Sequence, residues 1–583
     1  MKKRTVLFAL FFIGLMHANA QTLKYSEIVG KPTNNSATIQ LFFTDSALVS
    51  VQYGTVSGTY PNQTSWQSFT ANEPAEITLT NLQTDTKYYY RVRHRIPGAT
   101  GATNRAEHFF HTQRNPGSSF SFIVEADPHS DEQSDSSLYA LCLQNQLSDN
   151  PDFMIDLGDF LMTDKLKNRT TNTIPRDTIA YRCNIFRKFY QISSHSVPLF
   201  IALGNHEGES GWNLNNTANN IAVWDAIERK KYFMNPAPDA FYSGDTSNQN
   251  FIGQRENYYS WKWGDALFIV LDPYWYTSPK PDSLHGWRWT LGKKQYDWLK
   301  KTLEDNNDTK FKFVFSHQII GGDPDGRGGV EFADRYEWGG KSLNGLDSFA
   351  FYRPGWYKPI KDLLAEHKVN IFFHGHDHFF GKQEKDCMVY QETPQPSHPN
   401  PSNTDNVPYA SDYGYHEGVI QASSGHLKVT VAPTGVQVDY VRTYLPANEN
   451  ATHHNKDISA TYFIGATNCY DSTSNGGGDT TTPVSPILWN IDYVHELVYP
   501  NPFSSQTNIE FNQEKTEKIN ISVYNDRGQL VRRLLLGNVV AQGKYRISWD
   551  GKNSNGANLS KGIYFYSIRS ESKNIKTGKI VLM

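Results

Sequence analysis

At 583 residues the chain is too long for one ordinary domain and points to about three or four. Its formal charge of −3 becomes −6 when the three cations of the leader, Lys2, Lys3 and Arg4, are removed, so no overall basic field favours nucleic acid. Four cysteines, Cys142, Cys183, Cys387 and Cys469, include no C-x-x-C pair; this argues against a thiolate zinc site and leaves buried thiols or one or two bridges, with three full pairings open.

The chain opens with MKKRTVLFALFFIGLMHANA: three cations, an apolar segment from Thr5 to Met16, then Ala18-Asn19-Ala20 as a small-residue cleavage site. This is the pattern of a secretory signal peptide over 1–20, too short to remain as a membrane span. No other apolar run approaches spanning length. From 22 to 114, SATIQLFF, SVQYG, PAEITLTNLQTDTKYYYRVRHR and AEHFFHT read as short strands separated by turns, predicting an all-β sandwich. The L…TKYYYRV ending resembles a fibronectin type III module of the kind that precedes purple acid phosphatase catalytic domains.

From 118 to 445 short apolar runs alternate with amphipathic stretches such as SSLYALCLQNQLSD and KKQYDWLKKTLEDN, which predicts an α/β domain with partly parallel sheets. Residues 466–488 are rich in Gly, Ser, Thr and Pro and read as a flexible linker. From 490 to 583 a second β pattern returns, with Ile519, Ile521 and Val523 alternating with polar residues. YPNPF, GIYFYSI and the terminal KTGKIVLM resemble a type IX secretion sorting domain. That resemblance implies the type IX machinery as a partner, and passage through the periplasm to the surface or medium of a Gram-negative Bacteroidetes-type bacterium.

The chemistry is concentrated where the apolar runs of the α/β block end. FSFIVEADPH delivers Asp127 and His129, FMIDLGD delivers Asp159, and PLFIALGNHE delivers Asn205, His206 and Glu207. FKFVFSH delivers His317, and VNIFFHGHDH delivers His376 and His378. C-terminal strand ends form the binding crevice of α/β sheets, so five polar endings at that edge predict a site. Asp127, His129, Asp159, Asn205, His317, His376 and His378 are seven oxygen and nitrogen donors, too many for one tetrahedral zinc. Two ions sharing one carboxylate would use all seven, and imidazole with carboxylate suits iron, zinc or manganese. Such a pair is suited to phosphoryl hydrolysis.

DPH, GD, GNHE, the lone SH and GHDH stand in the order of the calcineurin-like metallophosphoesterases, and the chain resembles that superfamily over 127–378. The resemblance implies a multidomain protein with a central four-layer αββα sandwich between two all-β sandwiches. It implies two divalent or trivalent transition-metal ions, one held by Asp127, His129 and His378, the other by Asn205, His317 and His376, with Asp159 bridging. His206 would be the histidine beside the leaving oxygen, oriented by a neighbouring carboxylate. The expected activity is hydrolysis of small-molecule phosphate monoesters by a metal-bound hydroxide; the alternatives are a phosphodiesterase or nucleotidase on extracellular nucleotides, or a degenerate surface adhesion protein. No stable nucleic-acid partner is expected. Two departures matter. Met162 stands where purple acid phosphatases carry an iron-ligating tyrosine, which puts their colour in doubt, and GDFLMTD lacks the arginine that phosphoprotein phosphatases carry in this motif.

Four further residues stand beside these motifs. Arg327, in the Gly-rich stretch 318–340, is equally a phosphate contact and a solvated turn residue. His374 reads as core or support for the ligands, Asp377 as pointing to solvent or backbone, and Glu207 as one more donor at a strand end.

Overall fold

The computed structural model describes residues 25–168, 173–323, 325–399, 407–465, 488–491, 498–504, 506–527, 529–540, 542–553, 557–570 and 574–583. The expected signal peptide lies outside the described residues, as does the expected linker as far as residue 487. The chain forms two compact units, 1–471 and 472–583.

The first unit begins with two small antiparallel sheets. One contains β1 (Tyr25–Gly30), β2 (Ala37–Phe43) and β6 (Ala75–Leu79). The other contains β3 (Ala47–Gly54), β4 (Asn62–Gln63), β5 (Gln67–Phe69), β7 (Lys87–Arg95) and β8 (Thr103–His111). Alternation puts Ile39, Leu41 and Phe43 of β2 and Tyr88, Tyr90 and Val92 of β7 into one core.

The rest of this unit is built on two larger sheets. In the first, β9 (Phe120–Glu125), β10 (Phe153–Asp156) and β11 (Leu199–Ile201) run parallel. Next to β9 this sheet continues antiparallel through β20 (Gly425–Ala432), β21 (Gly435–Arg442) and β22 (Ile458–Gly465). In the second sheet, β14 (Ala266–Val270), β15 (Phe311–Phe315), β16 (Ile371–His374) and β18 (Met388–Glu392) run parallel. Antiparallel strands flank them: β12 (Ser243–Gly244) and β13 (Tyr259–Trp263) on one side, β17 (Phe380–Lys385) and β19 (Val419–Gln421) on the other.

Both faces of the parallel strands are covered, which explains why they read as unbroken apolar runs. Phe122, Phe153, Phe268, Phe313, Phe315 and Phe373 meet between the sheets, each fully buried; burying one such ring contributes about 1.5–3 kcal/mol. The alternate residues face outward. Ile123, Met154 and Ile201 pack under α1 (Ser136–Ser148), α2 (Arg176–Ser194) and α3 (Ile221–Tyr232). Ile269, Val314 and Phe372 pack under α4 (Gly292–Asp305) and the helix Ile360–Glu366. The result is a helix–sheet–sheet–helix sandwich, the layered α/β core expected from the alternation of runs and amphipathic stretches.

Arg187 of α2 ties the small sheets to this sandwich. Its buried guanidinium donates to Ser26 Oγ at 2.8 Å and to the Gln40 carbonyl at 2.9 Å, and burial lowers its pKa to about 9. Among the described residues no helix is long and apolar enough to cross a membrane. Cys142 and Cys183 are buried free thiols, Cys387 is disulfide-bonded, and Cys469 lies outside the described residues.

The second unit is all β. One sheet contains β23 (Leu488–Ile491), β24 (Val498–Tyr499), β25 (Thr507–Gln513) and β28 (Gly543–Trp549); the other contains β26 (Glu517–Asn525), β27 (Leu530–Val540), β29 (Gly562–Ser570) and β30 (Asn574–Leu582). Phe503, Trp549, Tyr564, Tyr566, Ile568 and the expected Ile519–Ile521–Val523 face form its core.

Candidate metal centre

The loops after β9, β10, β11, β15 and β16 gather all seven expected donors at one edge of the two sheets. Their backbone is unusual. Asp127, His129, Asp159, His376 and His378 have φ of 57°, 42°, 61°, 82° and 69°. Left-handed backbone costs a residue bearing a side chain about 1–3 kcal/mol, and such strain collects at functional sites. Two glycines let the loops close. A Cβ on Gly375 would lie 2.6 Å from Asp127 Oδ2, and one on Gly204 would lie 2.2 Å from Asp159 Oδ1. In their place the backbone N–H groups of His376 and His206 donate to those carboxylates at 2.8 and 2.7 Å.

Asp127, His129 and His378 form one cluster, and Asp159, His317 and His376 a second; within each, the donor atoms lie within 4.8 Å of one another. Asn205 Oδ1 joins the second cluster, 3.0 Å from His317 Nε2. Asp159 Oδ2 faces both groups, 3.2 Å from His317 Nε2 and 3.8 Å from His129 Nε2.

Hydrogen bonds outside the clusters fix which ring nitrogen faces them. His317 Nδ1 donates to the Leu157 carbonyl at 3.0 Å, and His376 Nε2 donates to the Asp325 carbonyl at 3.0 Å. His317 Nε2 and His376 Nδ1 are therefore the atoms that face each other, 3.2 Å apart, with Nε2 also turned toward Asn205 and Asp159. Similarly His129 Nδ1 meets Asp131 Oδ2 at 3.2 Å, leaving Nε2 aimed at Asp127 Oδ1, 3.7 Å away. Asp127 Oδ1 and His129 Nε2 are buried without a hydrogen-bond partner. Burial works against a charged His129, but Asp127, Asp131 and Asp159 overcome it and raise its pKa, so positive charge is favoured at this point; converging carboxylate and imidazole donors that favour positive charge fit two metal ions.

The charge balance agrees. Burial opposes ionisation of Asp127 and Asp159, but nearby histidines outweigh it and hold both below the usual carboxylate range. Burial keeps His376 neutral and lowers His378 to about 3, so neither ring is charged near neutral pH. His317 is raised to about 9: burial works against the charged ring, and Asp159 and Asp127 overcome it. A cation taking its place would release that proton.

His206 stands beside the clusters, not within them. Its Nε2 is 4.0 Å from Asp159 Oδ2, and its Nδ1 is 2.7 Å from Asp164 Oδ1, which is the orienting carboxylate expected without a number. It opens onto a cleft of about 410 Å³ shared with Asn205, Trp212, Arg327 and His376. Met162 is buried beside these loops, with its own φ at 53°.

The structure changes three of the four remaining readings. Glu207 is not a donor: fully buried, it accepts the backbone N–H groups of Asp159 at 2.9 Å, Leu161 at 3.2 Å and Gly204, tying the loops after β10 and β11 together. Asp377 does not point to solvent. It is buried, paired with Arg327 at 3.0 Å, and accepts from Gly328 N and Tyr415 OH. Arg327 is correspondingly neither a solvated residue nor a free one, since it also donates to the His376 carbonyl at 2.5 Å. His374 is a core histidine held by Glu392 at 2.7 Å. Asp131 was not foreseen; only its position two residues beyond His129 could have drawn attention to it.

A calcineurin-like phosphoesterase family model matches residues 120–380, and a FlgD Ig-like domain model matches residues 501–574. No curated protein matches the chain. Among solved structures, PhoD aligns with a TM-score of 0.54 at 13% identity, over 78% of this chain and 93% of its own. Purple acid phosphatase PPD1 from yellow lupin seeds aligns with a TM-score of 0.49 at 14% identity, over 75% of this chain and 74% of its own. The likeness to PhoD is one of fold. The central domain thus has a calcineurin-like phosphoesterase fold carrying two candidate metal clusters, the equipment of a metal-dependent hydrolase.

These matches correct two expectations. The C-terminal unit is an Ig-like domain, not a type IX sorting domain, and the type IX partner goes with that reading. The matched modules, 120–380 and 501–574, also give no fibronectin type III module at the N-terminus. The physical reason is the same in both. Phe503, Tyr564 and Tyr566 of the C-terminal motifs, like Tyr88 and Tyr90 of KYYYRV, are inward-facing core residues, and any β-sandwich needs such a pattern.

Proposed function

We propose that this protein hydrolyses small-molecule phosphate monoesters with two transition-metal ions, and that its signal-like leader directs it out of the cytoplasm. The observation that carries the reading is the convergence of seven candidate donors from five strand ends, with Asp159 Oδ2 approaching His129 of one cluster and His317 of the other. In this reading Asp127, His129 and His378 hold one ion, and Asn205, His317 and His376 hold the other. Asp159 bridges them, in keeping with its approach to both groups. The ions when bound lower the pKa of water and neutralise phosphoryl oxygens. The chain supplies the rest. Leu157, Asp131 and Asp325 fix the rings, and Asp164 holds His206 with its Nε2 toward the cleft, placed to give a proton to the leaving oxygen. Arg327, beside His376 and paired with Asp377, lines the same cleft.

Metal analysis of the purified protein, with p-nitrophenyl phosphate and its bis ester as substrates, tests this. Two equivalents of iron, zinc or manganese and faster turnover of the monoester are expected. Protein without metal overturns the hydrolase reading, and a strong preference for the diester overturns the monoesterase reading in favour of a phosphodiesterase.

A further inference from the structure

The cleft beside His206 has a second feature that the hydrolytic centre does not use. Lys165 and Lys167 follow the turn that carries Asp164, and Lys280 lies in a separate loop, yet all three line this one cleft with Trp212. All three lysines are exposed. Among the described residues none of their ammonium groups is paired with a carboxylate; the one contact is Lys280 Nζ at 5.7 Å from the Trp212 ring. Two carboxylates share the cleft, Asp164, which is hydrogen-bonded to His206, and Asp325. Arg327, by contrast, is already matched by Asp377. Three lysines against two carboxylates leave this cleft net positive in a chain whose formal charge is negative. A concave site with an excess of one sign of charge concentrates the opposite sign.

We infer that the leaving group of the natural substrate carries a second phosphate, bound by Lys165, Lys167 and Lys280. The substrate class is then the bisphosphorylated small molecule, in which one phosphate faces the metal clusters and the other faces the lysines. This rests on the hydrolytic reading above. The structural role of the lysines is small, since their side chains are exposed and replacing them removes no core packing.

Fructose 6-phosphate and fructose 1,6-bisphosphate form a matched pair of probes for the metal-loaded protein. The bisphosphate is expected to show a kcat/KM about tenfold or more above the monophosphate, where two equivalent phosphates alone allow about twofold. The advantage should shrink as salt is raised. In the triple variant Lys165→Ala, Lys167→Ala, Lys280→Ala the ratio is expected to fall to about two. A native ratio near two, or a ratio unchanged in the variant, overturns the inference. If neither sugar phosphate is hydrolysed, calorimetric binding of the bisphosphate to the native and triple-variant proteins decides. Binding that depends on the lysines upholds the site and places the failure in the hydrolytic reading; binding that does not depend on them overturns the site.

Discussion

The edge of the central sheets and the core of the C-terminal sandwich both bury the residues of their motifs, but residues of opposite kinds. In the sandwich, Trp549, Tyr564 and Tyr566 follow the alternation of their strands and are buried among apolar neighbours. Their sequence pattern describes burial and nothing more. At the sheet edge, Asp127, Asp159 and His376 sit at the ends of apolar strands, buried and in left-handed backbone. Nothing in folding alone favours a buried carboxylate on a strained turn, so residues that go against local preference report chemistry, and residues that obey it report only fold. This difference explains why the metal centre could be read from short motifs while the export reading of the C-terminal motifs failed.

The sharpest way to break this comparison is at Asp159. Asp159→Asn keeps the shape and the acceptor for His206 N but removes the charge that faces both clusters. We expect kcat/KM for p-nitrophenyl phosphate to fall by on the order of 10³-fold, with metal content reduced and the circular dichroism spectrum retained. Full activity in this variant would return Asp159 to the status of a turn residue. A smaller loss is expected at Asp164, whose carboxylate touches only His206 and no cluster donor among its hydrogen bonds. Asp164→Asn should lower kcat about ten- to a hundredfold with two metals still bound, and His206→Ala should add little beyond it. Additive losses in the double variant would show that the two residues do not act as a unit.

The sandwich architecture and the convergence of the seven candidate donors were legible because strand runs buried on both faces, each ending in Asp, Asn or His, leave few alternatives. What was not legible required contacts across the chain. Glu207 is adjacent to His206 in GNHE, but its partners are backbone N–H groups of the loop after β10, which no spacing rule points to. Asp377 looked solvent-directed because it lies between two ligand candidates, and its burial depends on Arg327 and Tyr415 folding over it. Arg187 looks like an ordinary helix cation until Ser26 and Gln40 close on it from another sheet. Asp131 and the carbonyls of Leu157 and Asp325 fix ring tautomers, and backbone atoms have no signature in sequence at all.

The smallest expected effect on catalysis lies at the other pole of the comparison. Trp549 is buried against Phe503 and Tyr564, with ring centroids at 5.5 and 5.3 Å, and its Nε1 donates to the Lys552 carbonyl at 3.1 Å. Trp549→Ala removes that packing and should destabilise the C-terminal unit by about 3–5 kcal/mol, seen as an earlier transition in urea. Because the sandwich and the metal centre belong to different compact units, kcat/KM measured without denaturant should stay within about twofold of the native value. The contrast with Asp159→Asn is then complete: a loss of structure without loss of chemistry at one residue, and a loss of chemistry without loss of structure at the other. If activity instead declines in step with unfolding of the C-terminal unit, the sandwich takes part in catalysis, and its aromatic pattern carries more than burial.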